Sequence, residues 1–141
     1  MSDRYVYLGE LIQLAEKYYP KKKYCHAARV AGYAMEKALI RRDIHAEVAY
    51  AVGLAHDLLE DTDCTPEELL KVMDDECVGA VVELTKGDDQ SYHDYIMEII
   101  DGGSDLAKLV KGADMKDHMM QSETLTDKLW EKYKPYLKYF L

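Results

Sequence analysis

The stretch that most constrains the fold is an apolar run that leads directly into four polar side chains. Residues 48–54 are almost entirely apolar, which predicts a buried helix. His56, Asp57, Glu60 and Asp61 follow within six positions. On a continuous helix, His56 and Glu60 would share one face, and so would Asp57 and Asp61, because residues four apart are one turn apart. The apolar run argues against a merely solvated helix end, and we interpret the segment as a candidate metal or acid–base site.

The composition bounds the class of protein. With 141 residues the chain predicts one domain, residues 1–141, that is long enough to bury a core. Hydrophobic residues make up 48% of the chain, which excludes disorder. The net charge of −9 argues against a nucleic-acid partner, since such binding depends on a basic face. An acidic protein that handles phosphates would need a metal or a local basic cluster.

Cysteine usage and the N-terminus predict a cellular location. Cys25, Cys64 and Cys77 are odd in number and irregularly spaced, which fits reduced thiols in a cytosolic protein. The first four residues run directly into a helix with a polar pattern, so we predict neither a signal peptide nor a membrane span. We therefore expect a cytoplasmic protein with no membrane partner.

Helical periodicity and helix start or stop residues run through the whole sequence, and no β alternation of useful length interrupts them. The predicted helical segments are Tyr7–Tyr19, Cys25–Ile40, Glu47–Glu60, a short helix from Thr65 to Met73, Asp75–Leu84, one capped by Ser91, one capped by Ser104, and Thr124–Leu141 with a break near Pro135. We predict an all-α domain, a single bundle of roughly seven or eight helices.

Lysines near the first candidate histidine have two interpretations. Residues 21–23 are consecutive lysines, and we predict a basic loop that would ordinarily be only a solvated turn. In an acidic chain they could instead attract a phosphate, with Lys23 nearest to His26. Arg29, Lys86 and Lys116 are weaker candidates for phosphate contacts, because each is more commonly a surface cation.

Three separated segments each place metal-ligand chemistry at the end of an apolar helix. They contribute His26, the pair His56 and Asp57, and Asp114. Two imidazoles and two carboxylates suit a divalent ion such as Mn²⁺, Fe²⁺ or Zn²⁺, and the absence of thiolates makes a structural zinc less expected. Gly53, one turn before His56, would allow another backbone to approach closely.

The C-terminal segment is rich in aromatic side chains, namely Trp130, Tyr133, Tyr136, Tyr139 and Phe140. We expect them to serve in packing or as a homodimer interface more than as a substrate stack.

Three motifs carry a resemblance to a known family. The chain contains His26-Ala27-Ala28-Arg29-Val30-Ala31, then His56-Asp57-Leu58-Leu59-Glu60-Asp61-Thr62 in the HDxxEDT form, and then Val110-Lys111-Gly112-Ala113-Asp114. This order over most of the chain resembles the HD-domain superfamily of metal-dependent phosphohydrolases. It is most similar to the RelA/SpoT-type (p)ppGpp hydrolase domains and their small single-domain relatives.

The resemblance implies a helical fold that binds one divalent metal through His26, His56, Asp57 and Asp114. Mn²⁺ is the expected ion, with Fe²⁺, Zn²⁺, Co²⁺ and Mg²⁺ as alternatives. It further implies catalytic roles for the acidic pair that follows, Glu60 and Asp61, in positioning or activating the water that attacks phosphorus. The implied activity is that of a (p)ppGpp 3′-pyrophosphohydrolase, which acts on a small nucleotide.

The sequence also departs from the family. The family's longer basic segment before the first histidine is reduced here to the three consecutive lysines at residues 21–23. His118 stands four residues after Asp114, where the family commonly has a substrate-contacting Asn. His118 is therefore a candidate substrate contact of a different shape. Two alternatives follow: a 5′-nucleotidase or other nucleoside monophosphate phosphohydrolase, and a non-catalytic helical module that binds a metal or a nucleotide.

Overall fold

The computed structural model describes residues 4–121 and 123–141, which form helices joined by short loops. The start of the chain, on which the expectation about a signal peptide depends, lies outside the described residues. The helices are α1 (Leu8–Tyr18), α2 (Lys21–Arg41), α3 (Ala46–Ala55), α4 (Leu58–Asp61), α5 (Pro66–Leu70), α6 (Asp75–Glu83), α7 (Tyr92–Gly102), α8 (Asp105–Met120), α9 (Asp127–Tyr133) and α10 (Leu137–Phe140), with a 3₁₀ turn at Lys134–Tyr136.

The predicted all-α class is confirmed. Over the described ranges, eight of the helices have five residues or more, which agrees with the predicted seven or eight. An isolated antiparallel bridge joins Val6 to Met73. Within the described part of the chain, no helix combines the length and the apolar character needed to cross a membrane.

The centre of the molecule is the contact of α2 with α3, against which α8 packs. The face of α2 in this contact carries alanines, whose short side chains allow close packing, and Ala27, Ala31 and Ala34 are fully buried. A Cβ at Gly53 would lie 2.8 Å from the Cα of Ala31, so the two backbones approach closely where Gly53 has no side chain. The close approach expected at this glycine is confirmed, and it brings the N-terminal part of α2 beside the end of α3.

The predicted basic loop at residues 21–23 is wrong. These lysines form the first turn of α2, which Pro20 precedes in an extended conformation with φ −60° and ψ 156°. Proline ends α1 because it cannot continue a helix, yet its fixed φ allows a new helix to begin at once. Lysine is a good helix former, so nothing in the run prevents helix formation.

The predicted continuous helix from Glu47 to Glu60 is also wrong, because the chain turns at His56 and Asp57. In a continuous helix the N–H of Asp57 would donate to the carbonyl of Gly53. Here that carbonyl accepts from Nδ1 of His56 at 2.6 Å, and the Asp57 N–H donates to the Tyr19 hydroxyl at 3.2 Å. The Tyr19 hydroxyl in turn donates to the carbonyl of Leu54 at 2.8 Å. The side chain of Tyr19, the residue directly after α1, therefore ends α3 and separates it from α4.

The C-terminal aromatic residues pack partly on their own chain. Phe140 is buried, and its carbonyl accepts from Nζ of Lys37 at 2.8 Å. A Cβ at Gly112 would lie 2.7 Å from the same carbonyl, so the last helix is seated closely on α8. Trp130 and Tyr139 are exposed. The packing prediction is confirmed for Phe140, and the homodimer stays a prediction.

Candidate metal centre

The four predicted metal ligands come together from three segments of the chain. His56 and Asp57 lie in the turn between α3 and α4, whereas His26 lies in the second turn of α2 and Asp114 lies inside α8, so the expected position at a helix end holds only for His56 and Asp57. Nε2 of His26 lies 2.9 Å from Oδ1 of Asp114 and 3.8 Å from Oδ2 of Asp57. Nε2 of His56 lies 3.2 Å from Oδ2 of Asp57 and 3.4 Å from Oδ1 of Asp114. Ligand atoms that are each about 2.1 Å from one ion lie roughly 3–4 Å apart when they are neighbours. The four side chains therefore have the spacing of ligands to a single metal ion.

His56 provides the test of whether a metal fits. Because the carbonyl of Gly53 can only accept, Nδ1 of His56 carries a proton and donates, so in the neutral imidazole the lone pair is on Nε2. Nε2 is buried and has no hydrogen-bond partner in the described part of the chain. A buried polar atom without a partner is costly, and a bound cation would remove that cost. The donor set and the unpartnered nitrogen both fit a divalent ion.

The electrostatics of the cluster favour a cation at the same point. Burial lowers the pKa of His56, but Asp57 and Asp114 more than offset it, so the pKa lies well above its ordinary value. Burial raises the pKa of Asp114, whereas Lys111 and the surrounding histidines hold it well below its ordinary value. Burial likewise raises the pKa of Asp57, and the neighbouring His56 outweighs it and lowers the pKa. Both carboxylates are thus ionised around a shared position.

Asp117 orients His26 from the side away from the cluster. Its carboxylate is nearly fully buried, lies 2.6 Å from Nδ1 of His26, and accepts from Nε and Nη2 of Arg29 at 2.7 and 3.1 Å. Such a carboxylate fixes the ring and leaves Nε2 free to bind a metal. Arg29, which was a predicted phosphate contact, instead binds the carboxylate of Asp117. It does not line the cavity described below.

Lys111 orients Asp114 in a similar way. Its ammonium is buried and donates to Oδ2 of Asp114 at 3.0 Å, while it lies 5.0 Å from the centre of the Tyr95 ring. Oδ1 of Asp114 is left to face the histidines. Sequence reasoning did not select Lys111 or Asp117 as site residues. Their spacing of three residues from Asp114 on one helix was the available indication.

A cavity of about 220 Å³ opens beside the cluster. It is lined by Lys23, His56, Asp57, Glu60, Asp61, Leu84, Lys86, Tyr92, Tyr95, Lys111, Asp114, His118, Lys132 and Tyr133. Of the predicted substrate contacts, Lys23, Lys86 and His118 therefore line the cavity. Lys116 does not line it, and its ammonium lies 4.7 Å from the centre of the Tyr33 ring.

The predicted catalytic acids stand at the wall of this cavity, and each has a basic or N–H partner. The carboxylate of Glu60 accepts from the backbone N–H of Lys86 at 2.6 Å. Desolvation raises the pKa of Glu60, and the neighbouring Asp57 and Asp61 raise it further, although the N–H of Lys86 opposes them. Asp61 pairs with Nζ of Lys23 at 2.8 Å. Glu60 is therefore the acid whose environment favours holding a proton.

Helix α9 supplies two residues to the cavity wall: Tyr133, which we had assigned to packing or a dimer interface, and Lys132, which we had not selected. Tyr133 is buried, and its ring stacks with that of His118 at a centroid distance of 5.5 Å. Nζ of Lys132 lies 4.3 Å from the centre of the Tyr92 ring. The C-terminal segment thus forms one wall of the site. The spacing of aromatic residues in the sequence could not reveal which face it would meet.

Together these features define an all-α domain with a mixed histidine and carboxylate centre where α2 and α8 meet the turn between α3 and α4. Among solved structures, the chain is similar to a metazoan ortholog of SpoT that hydrolyses ppGpp and plays a role in starvation responses. The TM-score is 0.69 at 22% sequence identity, and the match covers 94% of this chain and 82% of that chain. No protein-family model matches the sequence, and no curated protein matches it significantly. The chain therefore has the fold of a SpoT-type hydrolase, as its motifs predicted.

Proposed function

We propose that the chain is a metal-dependent phosphohydrolase of nucleotides and that its substrate is of the (p)ppGpp type, cleaved at the 3′ pyrophosphate. The observation that carries the proposal is the buried, unpartnered Nε2 of His56 among three further ligand side chains, beside a cavity with lysines in its wall. The shared fold with a protein that hydrolyses ppGpp supports the substrate class.

His26, His56, Asp57 and Asp114 would hold the metal, for which we propose Mn²⁺ because the donors are mixed nitrogen and oxygen. When bound, such an ion supplies Lewis-acid stabilisation of phosphoryl oxygens and lowers the pKa of water. The chain's own contribution is to keep three of these four side chains in place: Asp117 holds His26, Lys111 holds Asp114, and the carbonyl of Gly53 holds His56.

Glu60 is the general base in this proposal. Its raised pKa keeps it a competent proton acceptor near neutral pH, and the Lys86 N–H fixes one of its oxygens. The attacking water loses a proton to Glu60 and bonds to phosphorus. The bond from phosphorus to the ribose 3′ oxygen breaks, this oxygen takes up a proton from solvent, and Glu60 releases its proton to solvent. The products are a nucleotide with a free 3′ hydroxyl and pyrophosphate. Asp61, paired with Lys23, helps to position the water.

The lysines in the cavity wall would offset the charge of the substrate. Lys23 and Lys86 line the cavity on the same side as Glu60 and Asp61. Lys132 lines it from α9 and has no carboxylate partner in the described residues. A larger groove of about 760 Å³ elsewhere on the molecule is lined by acidic side chains, including Glu83, Asp94, Glu98 and Asp101. That groove would repel an anionic substrate, so the smaller cavity is the proposed site.

The size of the cavity favours a second candidate, a nucleoside monophosphate phosphohydrolase. Its volume of about 220 Å³ is below the range of roughly 300–1,000 Å³ that is typical of small-molecule sites. The cavity therefore holds the phosphate end of a nucleotide more readily than a whole tetraphosphate. In this candidate the same water attack releases orthophosphate.

Product analysis separates the two candidates. Mn²⁺-loaded protein is incubated with ppGpp and, separately, with a panel of nucleoside monophosphates, alongside Asp57→Ala and Glu60→Gln variants. We expect pyrophosphate from ppGpp, none with Asp57→Ala, and a rate roughly 10²- to 10⁴-fold lower with Glu60→Gln, which should retain its metal.

Other outcomes assign the site differently. Orthophosphate from a monophosphate, with no reaction of ppGpp, would establish the second candidate. Metal binding without turnover of either substrate would favour the non-catalytic module. Full metal content in both His56→Ala and Asp57→Ala would contradict the ligand assignment.

A further inference from the structure

His118 reaches the metal centre from α8, one turn beyond Asp114. Its Nε2 lies 3.4 Å from Oδ1 of Asp114, the same distance that separates Nε2 of His56 from that oxygen. One ligand atom each from His26, Asp114 and His118 lie within 4.8 Å of one another. His118 thus has the spacing of a metal ligand relative to His26 and Asp114, two of the four predicted ligands.

A hydrogen bond to Asp114 does not account for this position. The distance of 3.4 Å exceeds the usual range of about 2.7–3.2 Å for a nitrogen donor, and His26 already approaches the same oxygen at 2.9 Å. Three imidazole nitrogens, from His26, His56 and His118, converge on one carboxylate oxygen. A carboxylate oxygen has two lone pairs, so a shared cation explains the convergence better than three separate hydrogen bonds.

Aromatic contacts hold the His118 ring in this orientation. The Tyr133 ring stacks with it at an interplanar angle of 21°, and the His26 ring lies 4.7 Å away between centroids. Tyr133 is buried and comes from α9, so the ring is held by a separate element of the fold. A held ring with its nitrogen toward the cluster is a suitable metal ligand.

We propose that His118 is a fifth protein ligand, so that the centre consists of three imidazoles and two carboxylates. This inference rests on the metal site of the proposed function, and it adds a preference of that site for transition-metal ions and Zn²⁺ over Mg²⁺. Three nitrogen donors favour Mn²⁺, Fe²⁺, Co²⁺ or Zn²⁺ over Mg²⁺, which prefers oxygen ligands and retains its waters. Tyr133 then acts as the positioning residue of that ligand.

Metal titration of the full chain tests the inference without reference to activity. His118→Phe retains an aromatic ring against Tyr133 but offers no donor atom. His56→Ala is the benchmark for loss of a ligand, and His45→Ala, at an exposed position outside the cluster, is the control. We expect the Kd for Mn²⁺ to rise at least roughly tenfold in His118→Phe and to stay unchanged in His45→Ala. The visible absorption bands of bound Co²⁺ should shift in His118→Phe, because one nitrogen ligand is lost.

The outcomes separate this inference from the proposed function. If His56→Ala loses binding while His118→Phe keeps the wild-type affinity and Co²⁺ spectrum, His118 is not a ligand and the proposed site stands. Weaker binding with an unchanged Co²⁺ spectrum would also overturn the inference, since His118 would then only support Asp114. If the wild-type chain binds neither ion, both proposals fail. His118→Ala replaces His118→Phe if circular dichroism shows that the latter does not fold.

Discussion

Asp117 contacts the proposed metal ligand His26 and is not itself a proposed ligand, yet it determines where the His26 ring points. It is nearly fully buried and connects the Nδ1 atom of His26 with the guanidinium of Arg29. In Asp117→Asn the side chain keeps its shape but loses the charge that holds both partners. We expect the affinity for Mn²⁺ to fall roughly 10- to 100-fold, because outer carboxylates of this kind contribute that much to metal binding. Isothermal titration of the purified variant measures the change.

The matched control for this substitution is Asp101→Asn. Asp101 is exposed at the end of α7, so the substitution removes one negative charge without touching the cluster. Equal affinities in the two variants would mean that only the overall charge matters, and the role assigned to Asp117 would be wrong.

At the scale of single residues, the sequence supplied the four candidate ligands but not the side chains that support them. His26, His56, Asp57 and Asp114 each end or begin an apolar segment, which is visible from the sequence alone. Asp117 acts on a histidine 91 positions away. That pairing depends on which helices face each other, and periodicity within one helix does not contain this information.

At the scale of elements, the close contact of α2 with α3 depends on Gly53. A Cβ added there would lie 2.8 Å from the Cα and 3.1 Å from the nitrogen of Ala31, and backbone atoms cannot rotate away. Gly53→Ala should therefore push the two helices apart and lower the free energy of unfolding by about 1–3 kcal/mol, despite the better helix propensity of alanine. Urea unfolding measures this change. Metal affinity should fall as well, since His26 and His56 stand on the two separated elements.

Gly79→Ala is the control for the change in helix propensity. Gly79 is inside α6, and an added Cβ would meet nothing within 4 Å. We expect this variant to be more stable than the wild type by about 0.5–1 kcal/mol. If the Gly53 and Gly79 variants both gained stability, the close approach would not constrain the packing.

Elements with local capping were predictable, whereas a break caused by a distant side chain was not. Thr65, Ser91 and Ser104 each accept a backbone N–H three residues on, as their sequences indicated. The turn at His56 depends on the hydroxyl of Tyr19, 38 residues before Asp57. Without that partner the same sequence predicts a continuous helix, which is why the predicted extent of the third helix was wrong.

At the scale of the whole molecule, the all-α class followed from the absence of β alternation, but the arrangement of the helices did not. The seating of the last helix on α8 requires Gly112 to leave room for the carbonyl of Phe140. Nothing near either residue in the sequence indicates the other. Long-range contacts therefore decide how the C-terminal segment comes to form a wall of the cavity.

Buried thiols and phenols make the stability of the whole molecule sensitive to alkaline pH. Burial raises the pKa of Cys64 and Cys77 from an ordinary value of 9.0 to about 12, and that of Tyr95 and Tyr133 from 10.0 to about 12. Above pH 9 the unfolded chain loses these protons before the folded chain does. The free energy of unfolding should therefore be independent of these groups below pH 9 and should decrease as the pH rises toward 12.

Urea unfolding between pH 7.5 and 11 tests this expectation, because the midpoint concentration should begin to fall near pH 9 and continue to fall. A thiol reagent at pH 8 provides an independent check, since Cys25 is exposed while Cys64 and Cys77 are buried. We expect one thiol to react in the folded protein and three after unfolding in urea. If the midpoint stayed constant up to pH 11, or if all three thiols reacted in the folded protein, these groups would not be kept neutral by burial in a packed core.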